Sequence, residues 1–377
     1  MAEKKEPLFH IVKRTDLNFK KLVLIKASAI ILGFIFCCLF MLIVANANPI
    51  EVISQLFLGN FGTPKRVWRM LRELSLLLLV GLSLIPAFKM KYWNLGGNGQ
   101  ILMSCLGAII CMYYMGNAGV PNAIIVICMI IASVSLGIIW AVIPAIFKAH
   151  FNTNESLFTL MLNYVAVGIV SIFLSIAVKN GSQTLPQIQT GHLPVIGNEY
   201  LLTIIIAVIM LVVMFIYLKY TKHGYELSVV GESKNTARYV GINVKQVIIR
   251  TLILSGAISG LVGLLIAGSI DFSINTNSAN NLGFTAIMSS WLGQFNPFYM
   301  VLTSFLITFM NRGMSQVQTS FNITSTAGSQ IVLGVMYFLV ISFEFFVNYK
   351  IIFRKKHKDN NDETSPTKEI EVSKEAK

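Results

Sequence analysis

The chain has 377 residues, 55% of them hydrophobic and only 12% charged, with a mean hydropathy of +0.68. A soluble domain carries about 25% charged residues, so a chain of this length cannot clothe a soluble surface and reads as an all-α polytopic membrane protein. Its continuous apolar runs exclude a transmembrane barrel, which alternates over about ten residues per segment; the net charge of +13 does not indicate nucleic acid, because the basic residues gather at the termini and in one internal loop, as expected of cytoplasmic segments facing lipid headgroups.

Residues 1–26 carry Lys4, Lys5, Lys13, Arg14, Lys20, Lys21 and Lys26 and read as a cytoplasmic basic leader. It is longer than a signal-peptide n-region, and no small-residue cleavage site follows the first apolar run. A hydrocarbon core of about 30 Å takes about 20 apolar residues, and the membrane domain, residues 27–348, divides into runs of that order. The first covers 27–45, and 50–61 is a short amphipathic piece. Further spans follow at 73–88, 98–116, 121–147 and 156–178. The polar loop 179–198, with two prolines and one lysine, is placed outside. Next come a span at 199–218, a basic loop at 219–246 and a span at 247–270. DFSINTNSANN at 271–281 is placed outside, 283–312 holds two short apolar pieces split at Asn296-Pro297, and the last span covers 328–348. About ten transmembrane helices result, with broken or re-entrant segments and both termini cytoplasmic, in a multi-pass cell-membrane protein. Lys65, Arg66, Arg69 and Arg72 oppose this orientation, since they fall in a loop that the count places outside. From Tyr349 to Lys377 the mixed charge and low apolar content predict a disordered cytoplasmic tail.

The chain has no GxxxxGK[ST] phosphate cradle, no HExxH, no GxSxG and no paired carboxylates inside a span. Glu73, Arg312 and Glu344 are the few ionisable residues in apolar parts. Proton- and sodium-driven carriers usually bury carboxylates near the midplane, so an ion-coupled carrier is disfavoured, although backbone carbonyls alone can hold Na⁺. The five cysteines sit in apolar runs without metal-ligand spacing, so no metal site is expected. The pattern is that of a transport subunit, not an enzyme, whose energy comes from a partner; a channel or scaffold without energised transport is a further class.

The basic loop contains VVGESKNTARYVGINV at 229–244. Ser233 is placed to cap a short helix from Lys234 to Val240, and Gly241 to end it in the left-handed region. Ala237, Tyr239, Val240 and Ile242 give that helix an apolar surface, to be buried against a partner or laid on headgroups beside Lys234 and Arg238. The segment, followed by SGAISGLVGLLIAGS, resembles the cytoplasmic coupling segment of ABC importer permeases of the ribose/branched-chain amino-acid superfamily. The matching positions are Gly231, Glu232, Ala237, Tyr239, Gly241 and Ile242, and together with Arg238 they are the residues expected to couple to an ATPase. The resemblance implies that this helix docks in a groove of a separate ATPase subunit, which holds the ATP and Mg²⁺, so this chain carries no cofactor itself. In the next span Gly256, Gly260, Gly263 and Ala267 form one small-residue stripe, suited to close helix packing within the chain.

Between two apolar runs lies YWNLGGNGQIL at 92–102, uncharged and rich in glycine and amides. Gly96, Gly97 and Gly99 permit a break and close backbone approach, while Asn94, Asn98 and Gln100 supply neutral donors and acceptors. Such backbone is tolerated at membrane depth where it is buried or lines a wet cavity. Two roles fit: lining a pathway for a polar, uncharged solute, with Asn163 adding a further amide, or a tight turn with amide-capped helix ends. The stretch is similar to the Asn-Ile-Gly…Gly-Gln segment of the nucleoside-type branch of the same superfamily. NANPIE, TLMLNYVA, GFTAIMSSWLGQFNP and SQIVLGVMYFLV match further family segments in order over about residues 46–345. The family often has Glu where this chain has Asn98, a departure that removes a fixed negative charge. The resemblance implies import of nucleosides or another ribose-containing solute by alternating access, with a simple sugar as the alternative cargo. It also implies an extracytoplasmic solute-binding lipoprotein and a second permease chain, identical or homologous.

Overall fold

The computed structural model describes residues 9–13, 19–178, 182–323 and 327–353. The helices, in order, are α1 (Phe19–Ala45), α2 (Pro49–Phe61), α3 (Pro64–Lys89), α4 (Gly97–Asn117), α5 (Asn122–Phe151), α6 (Glu155–Ala177) and α7 (Leu201–Tyr220). Two short ones, α8 (Lys222–Glu232) and α9 (Lys234–Tyr239), precede α10 (Val244–Leu265), which runs on into a π-helical turn at Ile266–Asp271. The series ends with α11 (Leu282–Leu292), α12 (Pro297–Ser320) and α13 (Ala327–Asn348). Many starts are written in the sequence. Asn48, Thr63, Asn154, Ser233, Asn243 and Asn296 each accept a backbone N–H of the helix they precede. Pro49, Pro64 and Pro297 occupy first helical positions, where the missing N–H costs nothing.

Eight helices among the described residues are long and apolar enough to cross a membrane. The two pieces that complete the expected ten are α11, which is short, and α12, which carries Asn311, Arg312, Gln316 and Gln318. α3, α4 and α10 are mostly buried and form the centre, with α5 laid along α4 and α10. α6 and α7 expose most of their apolar surface, as lipid-facing helices do. Contact between α5 and α10 is backbone to backbone: a Cβ on Gly256 would lie 2.5 Å from the Gly137 carbonyl oxygen.

The two ends of α3 establish relative sidedness. Near its start Arg72 lies over the Tyr200 ring at 5.0 Å. The two loops expected outside are joined to each other, Leu185 N–H donating to Ile274 O and Ile188 N–H to Phe272 O. At the other end of α3, Lys89 abuts α8. The first loop is therefore shorter than expected. Lys65, Arg66, Arg69 and Arg72 are helical, because the Thr63 cap and Pro64 start α3 early, and they lie towards the end of α3 opposite Lys89 and α8. Arg66 is used locally, donating to Leu58 O at 2.7 Å. Glu73 pairs with Arg312 of α12, so two of the ionisable residues in the apolar parts neutralise each other.

The termini also differ from expectation. α1 takes in Lys20, Lys21 and Lys26 of the leader, and β1 (Phe9–Lys13) pairs antiparallel with β2 (Tyr349–Phe353). The tail expected to be disordered from Tyr349 thus begins as a strand; the rest of the leader and residues 354–377 lie outside the described residues.

Candidate functional site

The uncharged stretch is less broken than its composition suggests. Non-helical backbone ends at Gly96, and Gly97 to Leu102 already belong to α4. None of Gly96, Gly97 and Gly99 has a positive φ. The last two serve close approach instead: a Cβ on Gly97 would lie 3.2 Å from Gly283 Cα, and one on Gly99 2.8 Å from Asn163 Oδ1.

The amides are ties between helices. Asn94 Oδ1 accepts from Gly96 N–H at 3.0 Å and from Gln100 Nε2 at 3.4 Å, and Asn94 Nδ2 donates to Ser255 Oγ of α10 at 3.4 Å. The Ser259 hydroxyl of α10 lies 3.1 Å from both Gln100 Oε1 and Ser83 Oγ of α3. Asn163 of α6 works at both ends, Oδ1 accepting from Gly99 N–H at 2.8 Å and Nδ2 donating to Leu95 O at 2.9 Å. Asn98 Oδ1 accepts from Gly283 N–H of α11 at 2.8 Å. Asn94 and Gln100 are buried, and buried amides are costly unless so paired. One short segment thus fastens α3, α6, α10 and α11 together. Asn98 is half-buried, and its Nδ2 is the side-chain amide donor of the stretch with no partner among the described residues.

An aromatic pair sits at the same place. Trp93 stacks on Trp291 at the end of α11, ring centroids 5.4 Å apart and planes at 27°. Phe88 and Phe295 meet the two indoles edge-on. Both tryptophans are exposed, at 41% and 45%. Sequence reasoning missed them, because the partners are almost 200 residues apart; the one signal was a tryptophan inside an otherwise polar break.

The basic loop folds as its residues direct. Ser233 Oγ accepts from Thr236 N–H at 3.2 Å, and Gly241 ends α9 with φ +81°. The seven residues marked there divide between two faces. Gly231 and Ala237 face the chain's own bundle: Ala237 is fully buried with Leu227 and Val230 against Ala87, Ala141 and Ile248, and a Cβ on Gly231 would lie 2.0 Å from Lys89 O. Ile242 is half-buried. Glu232, Arg238, Tyr239 and Gly241 are exposed, Tyr239 at 97%. Ala237 is therefore an anchor of α9, not the partner-facing surface expected of it. Glu226 of α8 is ion-paired with Arg250 of α10, whose hydrogen bond holds the Glu226 carboxyl below its ordinary value. The loop and the amide-tied stretch are neighbours, with Lys89 packed on Gly231 and Asn94 five residues further along the chain.

The small-residue stripe packs within the chain. A Cβ on Gly260 would lie 2.7 Å from Val134 Cα of α5, and one on Gly263 2.4 Å from Ser104 Cβ of α4. Ala267 is buried in the π-helical turn.

Three relatives share most of this length. The nucleoside ABC transporter permease protein NupB of Lactococcus lactis subsp. cremoris is 24% identical over 341 residues, covering 86% of this chain and 93% of its own. The guanosine ABC transporter permease protein NupP of Bacillus subtilis is 25% identical, covering 85% and 94%. The glucose ABC transporter permease protein TsgB13 of Haloferax volcanii is 27% identical, covering 82% and 85%. The model of one permease family matches residues 67–341, from the early turns of α3 into α13. The span includes the amide-tied stretch, the capped loop and the small-residue stripe. The chain belongs to the family of the branched-chain amino acid transport system permease component.

Proposed function

We propose that this chain is the membrane-spanning permease subunit of an ABC importer for nucleosides or a related ribose-containing solute. ATP and Mg²⁺ belong to a separate ATPase subunit, and an extracytoplasmic lipoprotein delivers the solute. A second permease chain, identical or homologous, completes the pathway, and both termini face the cytoplasm.

The observation that carries this reading is the two-faced loop at α8 and α9. Gly231 and Ala237 seat it on the ends of α3 and α5, while Arg238, Tyr239 and Val240 stand clear of the bundle. A partner that grips the exposed face moves the seated face, and Lys89 passes the motion towards Asn94 and the ties around it. The nucleoside and guanosine permeases among the relatives support the cargo. The glucose permease favours a second reading, the same machine carrying a simple sugar.

The test is co-purification and transport. An ABC ATPase should come with this chain, and vesicles holding the assembled importer should accumulate adenosine only with hydrolysable ATP. Accumulation of glucose but not adenosine would select the second reading. Accumulation by the chain alone on a cation gradient would overturn both.

A further inference from the structure

We propose that the stacked indoles of Trp93 and Trp291 form a platform on which the flat heteroaromatic base of the cargo stacks during passage. The proposal rests on the nucleoside reading and adds the group that recognises the base. Indole faces are large, rigid and rich in π-density, and bases stack on them with little regard to sequence.

Several features separate this pair from a lipid-facing surface. The exposed face of α7 is aliphatic, built from Ile205, Val208, Ile209, Val212 and Ile216. The indole pair instead lies in polar sequence: Asn98 follows on the same stretch as Trp93, while Gln294 and Asn296 are exposed just beyond Trp291 in the chain. An interfacial tryptophan that anchors a helix in headgroups needs no partner. Here two indoles from distant parts of the chain are held face to face, with Phe88 and Phe295 bracing their edges. Their supports are also cross-linked, since Asn98 ties the stretch bearing Trp93 to Gly283, at the start of the helix that carries Trp291 in its last turn. Asn98 Nδ2 remains available, and a carboxamide is the side chain suited to the hydrogen-bonding edges of a base. Seating on the amide-tied stretch places the platform where motion of α8 and α9 arrives. Closure of the partner would therefore change how the base is held.

The test uses the assembled importer with its ATPase, in vesicles, with adenosine, ribose and glucose as probes. Trp93→Leu and Trp291→Leu keep apolar bulk but remove the π-face, and each should lower kcat/KM for adenosine about 5- to 100-fold. Trp93→Phe and Trp291→Phe should restore most of it. Independently, adenosine but not ribose should quench the tryptophan fluorescence of the unmodified complex, and the double Phe variant should lose that quench. Adenosine uptake that is unchanged in both Leu variants overturns the platform while the nucleoside reading stands. Uptake of glucose with none of adenosine overturns the nucleoside reading, and the platform with it. If the Leu variants do not assemble, the fluorescence decides: no adenosine-specific quench overturns the proposal.

Discussion

Asn163 is the sharpest place to test the internal ties. Its carboxamide replaces a peptide group for two backbone positions, taking the Gly99 N–H at 2.8 Å and giving to the Leu95 carbonyl at 2.9 Å. Asn163→Leu is close in size and removes both bonds. An unpaired buried backbone group costs about 1–3 kcal/mol. Gly99 is buried and Leu95 half-buried, so the second loss is partly relieved by solvent; the total should be about 2–4 kcal/mol. Tyr164→Leu, next in the chain but 68% exposed, should change stability by less than about 0.5 kcal/mol. Unfolding in mixed detergent micelles measures both. Hydrogen exchange at the Gly99 amide gives a local reading, and its protection should fall roughly 30- to 700-fold in Asn163→Leu. If Asn163→Leu unfolds like Tyr164→Leu and the Gly99 amide stays protected, Asn163 does not hold the stretch and the tie is unimportant.

Further substitutions separate the remaining roles. Gly263→Ala brings a methyl group within 2.4 Å of Ser104 Cβ and 2.7 Å of Cys105 N. Overpacking of about 1–3 kcal/mol outweighs the helix propensity gained, so thermal stability in detergent should fall. Gly168→Ala in α6, with nothing within 4 Å, should be neutral or stabilising by up to about 1 kcal/mol. Tyr239→Ala should leave the permease as stable as before, because the ring touches little of its own chain, yet weaken ATPase co-purification about tenfold or more, as loss of an interface anchor does. Gly231→Ala should instead unseat α8 from Lys89 and expose residues 222–243 to protease. The Glu226 carboxyl titrates below its ordinary value when folded, so its pairing with Arg250 stabilises above the unfolded pKa and is lost as pH falls through the folded one. Protease sensitivity of α8 should therefore be flat from pH 6 to 8 and rise below about pH 4, and Glu226→Gln should abolish that pH dependence.

Much of the architecture was local and so legible in the sequence. Long apolar runs announce spans because a bilayer core demands that length, and Ser233 with Gly241 bracketed α9 because capping uses residues a few positions apart. The spacing of Gly256, Gly260 and Gly263 likewise foretold close packing, since one helix face is set by periodicity alone. Charge counting was a poorer guide at α3, where Thr63 and Pro64 start the helix before its basic residues, Arg66 finds a local partner in Leu58 O and Arg72 a distant one in the Tyr200 ring. What the sequence could not contain was the choice of partner. Asn94, Gln100 and Asn163 suit a wet lining and a dry tie equally by residue type; only the folded chain, by bringing Ser255, Ser259, Gly99 and Leu95 within hydrogen-bond reach, commits them to ties. Ala237 and Tyr239 are two residues apart, and only the seating of α9 on the bundle buries one and exposes the other. Trp93 and Trp291 met because α11 returns to the amide-tied stretch, a long-range closure that no local pattern records. Composition and periodicity are properties of neighbouring residues, whereas the pairing of polar and aromatic groups across helices exists only once the helices have packed.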